Sequence, residues 1–253
     1  RRTEKYKNYG IGGYKMQAEG FEALFAFQRF AVMGFWEVVK HLPFFWNVER
    51  TIRKILKNDK PDLIVLVDYP GMNMRIAKIA YEMGIKVLYY ICPQFWAWKH
   101  GRVYQLAENT NHVACILPFE KDLLDIHRIN STYVGHPIAE EIEISINRNE
   151  FADFFGLNPS KKWITFLPGS RNIEMQKNLP IFLNTIKLMQ SDDFQFIISR
   201  ANTVSKTLFD DLISKSNLKN IFIIDGYNYE MMKYSEVLAV TSGTATLETA
   251  LVG

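Results

Sequence analysis

Leu63-Ile64-Val65-Leu66-Val67 is an unbroken apolar run that ends on Asp68-Tyr69-Pro70. A short run without polar alternation reads as a strand covered on both faces, the habit of parallel sheets. Ligands of open α/β sheets sit beyond the carboxyl ends of such strands. Asp68 therefore stands where a carboxylate can serve as an acid or base. Aspartate also favours helix N-caps and turns, and position alone leaves both readings open.

The same rhythm extends on both sides. After Asp68 the pattern predicts a helix over Arg75–Met83, a strand over Lys86–Ile91 and a helix around Val103–Glu108. A strand over Val113–Leu117, a short helix over Lys121–Ile126 and a strand over Thr132–Val134 follow. A polar segment, Glu140–Glu150, interrupts the alternation and reads as a linker between residues 1–140 and 141–253. Beyond it, strands are expected at Trp163–Leu167, Phe194–Ile198, Ile221–Ile224 and Val237–Val240. Helices are expected at Leu179–Met189, Lys206–Ser214, Met231–Tyr234 and Thr244–Leu251. The fold class is thus α/β, with two Rossmann-like domains whose parallel sheets face a cleft.

Composition agrees with two packed domains. The 253 residues are 48% hydrophobic and 14% aromatic, enough for a core and contrary to disorder. A net charge of +3 suits anionic small molecules or acidic lipid and is too small to argue for nucleic acid. Cys92 and Cys115 form no zinc spacing and no disulfide framework, which fits a reducing compartment. No apolar run reaches the roughly 18–20 residues of a membrane span. The chain starts at Arg1-Arg2 and stops within an expected helix at Leu251-Val252-Gly253, as a fragment would.

Before Asp68 the sequence is less regular. The glycines of Tyr9-Gly10-Ile11-Gly12-Gly13 lack dinucleotide-binding spacing. From Phe21 to Lys60 the pattern is helical, with Phe35, Trp36, Phe44, Phe45 and Trp46 among Lys40, Arg50, Arg53, Lys54 and Lys57. Such a stretch can lie on an anionic membrane surface or can simply pack with a solvated basic face.

Three further strand ends carry polar groups. Pro168-Gly169-Ser170-Arg171, with Glu174, offers turn N–H groups and a guanidinium to a phosphate. Thr241-Ser242-Gly243-Thr244 leads into a helix and can hold an anion at that helix start, though it is not a Walker loop. Glu248, one turn on, can accept from a ribose hydroxyl or stand exposed. Trp96 and Trp98, past the Lys86–Ile91 strand, either line a pocket or pack in the core. His136 beside Gly135 reads as structural, and no metal-ligand spacing is present.

At these motifs the chain resembles the lipid-A-disaccharide synthases, bacterial glycosyltransferases of the GT-B type. The likeness runs through Gly13–Gly20, Ala31–Gly34 with Glu37-Val38, Lys60-Pro61-Asp62, Asp68 with Pro70 and Asn73, and Pro93 with Trp96-Ala97-Trp98. It continues through Leu117–Lys121, Gly135-His136, Leu167–Arg171 with Glu174, and Ser242–Ala245 with Leu247-Glu248. The resemblance implies transfer from UDP-2,3-diacylglucosamine to 2,3-diacylglucosamine 1-phosphate on the cytoplasmic face of a Gram-negative inner membrane. It makes the first domain acceptor-binding and the second UDP-sugar-binding. It assigns Asp68 as the general base and Arg171 as neutralising the UDP leaving group. Ser242, Gly243 and Thr244 would hold the diphosphate, with Glu248 near the nucleoside; Gly169, Ser170, Glu174, Trp96 and Trp98 are the further substrate-binding candidates.

The expected partners are these two lipid sugars, an anionic membrane surface and a homodimer, without nucleic acid. No metal or cofactor is expected, the UDP-sugar being a substrate. The chain departs from the family at Gly71-Met72, where an acidic residue and a phenylalanine are usual, and at Cys92, where serine is usual. The alternatives are another UDP-sugar transferase, a UDP-sugar 2-epimerase, and a two-lobed binding protein without catalysis.

Overall fold

Parallel ladders carry both halves of the chain. The computed structural model describes residues 7–26, 30, 35–97, 99–189 and 191–253, and no side chain within 35–42. The chain divides into two units, Arg1–Gly135 and His136–Gly253. The sequence reading sets this boundary at 140/141.

The first unit runs β1 (Tyr9–Gly10), α1 (Tyr14–Ala18), β2 (Glu22–Ala23), α2 (Phe35–Asp59), β3 (Leu63–Val67) and α3 (Pro70–Glu82). It continues β4 (Lys86–Tyr90), α4 (Arg102–Asn109), β5 (His112–Cys115), α5 (Pro118–Ile126) and β6 (Ser131–Tyr133). Its main sheet has the order β3-β4-β5-β6, with every pairing parallel. Pro70 opens α3 because its fixed φ suits a first helical position. The helix then buries Met72, Ile76, Ala77, Ile79 and Ala80 against Val87, Tyr89 and Val113.

Two expectations change here. Leu63, Val65 and Val67 are 47%, 50% and 46% exposed, so β3 is an edge strand with only one face buried. An apolar run alone does not distinguish these cases. The helical reading of the segment from Phe21 is also corrected at its start. Glu22–Ala23 pairs in parallel with Tyr9–Gly10, and the Phe21 ring lies against Gly12, where a Cβ would come within 2.8 Å of it. In α2, Phe44 and Phe45 pack with Phe25, Phe30 and Tyr69, whereas Trp46 is 62% exposed beside exposed Arg50, Arg53, Lys54 and Lys57.

The second unit runs α6 (Ile138–Glu141), α7 (Arg148–Phe155), β7 (Lys162–Leu167), α8 (Asn172–Leu188) and β8 (Phe194–Arg200). It ends α9 (Lys206–Ser216), β9 (Ile221–Asp225), α10 (Asn228–Tyr234), β10 (Val237–Val240) and α11 (Thr244–Val252). The sheet order is β10-β7-β8-β9, again all parallel. Alternate residues of β7 and β8 enter two cores. Ile164, Phe166, Phe196 and Ile198 meet α8 and α9, while Trp163 and Ile197 meet Phe151 of α7 and Met231 of α10.

The Glu140–Glu150 linker is folded into this unit. Ser145 donates its N–H and its hydroxyl to Glu230 Oε1 at 2.8 and 2.7 Å. Asn147 and Glu150 form a reciprocal cap on α7. Among the described residues no helix is long and apolar enough to cross a membrane.

The two-sided cover of this sheet has a measurable consequence. Leu179→Ala, at a fully buried α8 position, is expected to cost about 2–5 kcal/mol in urea unfolding. Leu188→Ala, at a site 89% exposed, should stay within about 0.5 kcal/mol of the parent. Equal costs at the two sites would contradict this packing.

Candidate functional site

Asp68 follows β3 and begins a left-handed pair, with φ +44° at Asp68 and +46° at Tyr69. Consecutive side-chain residues in this region are costly and persist only when held. Asn73 Nδ2 donates to the carbonyls of Val67 and Asp68 at 3.1 and 2.7 Å, and Tyr89 Oη donates to the Asp68 carbonyl at 2.8 Å. The Asp68 N–H donates to Tyr90 O at 2.9 Å. These bonds fix the Asp68 backbone while its carboxylate faces solvent. Burial, and then the Asp68 charge, push the Tyr89 phenol well above its ordinary value, so it remains a donor.

In the second unit the turn after β7 is built around Glu174. Its carboxylate accepts from Arg171 Nη1 at 2.7 Å and from Ser170 N at 3.1 Å. Gly169, at φ +113°, makes this possible, because a Cβ would lie 2.6 Å from Glu174 Oε2. Glu174 thus holds Arg171 and binds a turn N–H at once.

The turn after β10 lies beside it. Asn178 Nδ2 donates to Pro168 O at 3.3 Å and to Thr241 Oγ1 at 2.9 Å, joining the two turns. Gly243 precedes α11 with no side-chain cap on the helix start; Thr246 N donates to Gly243 O at 3.1 Å, which leaves the N–H groups of Thr244 and Ala245 for an anion. Ser242, Gly243 and Thr244 are exposed there. Asn178 escapes sequence reasoning because its role arises from closure between distant turns, not from local spacing.

Glu248 is half-buried and lines a cavity of about 510 Å³ with Glu143, Ser145, Tyr227, Asn228 and Glu230. Burial, and then Glu141, push its carboxyl up, while His136 acts in the opposite sense. The Gly226–Glu230 turn is a part of this cavity that the sequence did not single out; Gly226 and Tyr227, both at positive φ, were its available signal.

Trp96 and His136 have local partners. Trp96 donates Nε1 to buried Glu120 at 3.3 Å, stacks edge-on against Phe119 and packs on the first core. Trp98 lies outside the described residues. His136 Nδ1 accepts from Ile138 N at 3.2 Å, a local turn bond.

The family model described as lipid-A-disaccharide synthetase matches residues 1–253. Lipid-A-disaccharide synthase of Trichlorobacter lovleyi is 38% identical over 247 residues, covering 97% of this chain and 64% of the relative. That of Nitrosococcus oceani is 38% identical over 246 residues, covering 96% and 63%. The chain thus spans about 64% of the length of the curated relatives it matches. The crystal structure of UDP-GlcNAc 2-epimerase from Neisseria meningitidis bound to UDP-GlcNAc superposes with TM-score 0.56 at 14% identity, over 98% of this chain and 73% of that one. The S. aureus MnaA–UDP structure gives 0.55 at 11%, over 82% and 59%. These two structures show a shared fold.

Glu248 supplies a test by pH. A carboxyl raised in the fold favours folding while protonated, so wild type loses stability as pH climbs from the ordinary 4.5 through the raised value. Glu248→Gln has no such proton to lose. In thermal melts it should match wild type below pH 4.5 and exceed it at neutral pH. A gap independent of pH would reject the assignment.

Proposed function

The chain belongs to the lipid-A-disaccharide synthetase family, and on that premise we propose that its protein is an inverting glycosyltransferase. It moves the amino-sugar unit of UDP-2,3-diacylglucosamine to the 6-hydroxyl of 2,3-diacylglucosamine 1-phosphate. The products are the β-1′,6 disaccharide 1-phosphate and UDP. The observation that carries the reading is the pair of turns joined by Asn178, one presenting Arg171 and the other an uncapped helix start.

The chemistry divides between the units. The acceptor oxygen attacks the anomeric carbon as its proton passes to the Asp68 carboxylate, and the bond from that carbon to the diphosphate oxygen breaks. Arg171 and the N–H groups of the Ser242–Thr244 turn take up the charge left on UDP. Glu174 sets the Arg171 guanidinium before substrate arrives, which lowers the cost of organising it. In the adjoining cavity Glu248 accepts from a nucleoside hydroxyl. Helix start and guanidinium together supply the positive charge, so the reading calls for no metal.

Both substrates are lipids, and α2 offers exposed Trp46 with Arg50, Arg53, Lys54 and Lys57. That pattern supports peripheral attachment to an anionic inner-membrane surface on its cytoplasmic side. Self-association as a homodimer belongs to the same reading.

Product analysis of the full-length protein with both lipid sugars tests the proposal. Asp68→Asn should lower disaccharide formation about a hundredfold or more while UDP still binds. Arg171→Ala should weaken UDP binding about tenfold and lower turnover as well. Absence of disaccharide from wild type, or an epimerised UDP-sugar in its place, would overturn the reading.

A further inference from the structure

Side chains tie the strand ends of the second sheet to one another in the order β10-β7-β8-β9. Asn178 joins the turns after β10 and β7. Between β7 and β8, Thr203 Oγ1 donates to Ser170 O at 2.6 Å and Ser205 N donates to Asn172 Oδ1 at 2.9 Å. Between β8 and β9 the tie is ionic. Arg200 and Asp225, the last residues of those strands, stand opposite each other in the ladder. Arg200 Nε donates to Asp225 Oδ1 at 2.7 Å and Nη2 donates to Oδ2, a bidentate fork. One residue back, Ser199 Oγ donates to Asn228 Oδ1 at 3.0 Å.

The arginine is well seated. Its side chain is 19% exposed, its guanidinium lies 5.6 Å from the centre of the buried Phe209 ring, and Nη1 stands 3.6 Å from Asp210. The bonds from Arg200 hold the Asp225 carboxyl below its ordinary value, so the fork stays closed at neutral pH. Asp225 itself is exposed, and a pair with one exposed partner adds little to stability. What the fork does set is the direction of the chain. Gly226 and Tyr227 follow at once with φ +71° and +50°, and a tyrosine keeps that conformation only when neighbours hold it. Phe151, Phe154 and Phe155 pack on the Tyr227 ring, Ser199 holds Asn228, and Arg200 fixes the entry at Asp225. Gly226, Tyr227 and Asn228 then line the cavity of about 510 Å³ at Glu248, whose lining includes neither Arg200 nor Asp225.

We propose that Arg200 is a positioning residue, which through Asp225 sets the Gly226–Asn228 side of that cavity for the nucleoside of the sugar nucleotide. The nucleoside as occupant rests on the function proposed above; the fork and the turn rest on geometry. Arg200 acts at one remove and takes no part in the transfer. Its influence ends at the cavity, because the Arg171 and Gly243 turns are tied through Asn172, Thr203 and Asn178 instead.

Calorimetric titration of the full-length protein with UDP tests the role. Arg200→Ala should weaken UDP about tenfold with a urea midpoint close to that of wild type. Arg200→Lys keeps the charge but cannot form the fork, and should lose nearly as much. Combined with Arg171→Ala the losses should multiply, whereas in a Glu248→Ala background Arg200→Ala should cost clearly less than in wild type. In the disaccharide assay Arg200→Ala should raise KM for the sugar nucleotide about tenfold and keep kcat within about twofold. Unchanged UDP affinity in Arg200→Ala, full rescue by lysine, or losses that multiply with Glu248→Ala would each overturn the positioning role. If Glu248→Ala weakens UDP and Arg200→Ala does not, the cavity keeps its nucleoside and only the positioning fails. If neither variant weakens UDP, both assignments fall. Coupling of Arg200 to Glu248 without disaccharide from wild type keeps the positioning role and rejects the transferase.

Discussion

Parallel pairing is the constraint on which the rest depends. With β3 to β6 all running one way, and β7 to β10 likewise, every strand of a sheet ends on the same edge. The chain must leave that edge sharply to enter a helix, and unusual backbone collects there. Asp68 and Tyr69 after β3, Ile91 after β4, Gly169 after β7, and Gly226 and Tyr227 after β9 all have positive φ. Such conformations survive only where neighbours over-determine them. At Asp68 the neighbours are Asn73 on α3 and Tyr89 on β4, whose ring is wholly buried. Core packing thus reaches the carboxyl edge of the sheet through one hydroxyl.

What the sequence made legible follows from what is local. β7, buried along Trp163–Leu167, has two packed faces as its apolar run suggests, while the similar run of β3 has one. The difference is what packs on each face, which no run of residues encodes. The helix starts at Pro70 and Asn172 lie earlier than the apolar periodicity, although Met72 and Met175 in their first turns are buried. Glu140–Glu150 looks like a linker because its side chains are polar, yet Asn147 and Glu150 spend that polarity on a cap and Ser145 spends it on Glu230. The pairing of Arg171 with Glu174 was readable at helical spacing. The bond from Asn178 to Thr241 joins residues 63 apart and had no such signal.

Charge sorts the polar sites. Among the described residues a cavity beside α3 carries three cations, Arg75, Lys99 and Arg102, and no carboxylate, whereas the cavity at Glu248 carries Glu143, Glu230 and Glu248. A phosphate is repelled from the second. Glu230 is already committed to Ser145, and Glu248 is held with its pKa raised, so what that acidic cavity offers is acceptance of hydroxyl or N–H donors. A ligand with a neutral, donor-rich end and an anionic end is then oriented within the second unit alone. On the function proposed, its hydroxyls would enter beside Glu248 and its phosphates would be left to the turns at Arg171 and Gly243.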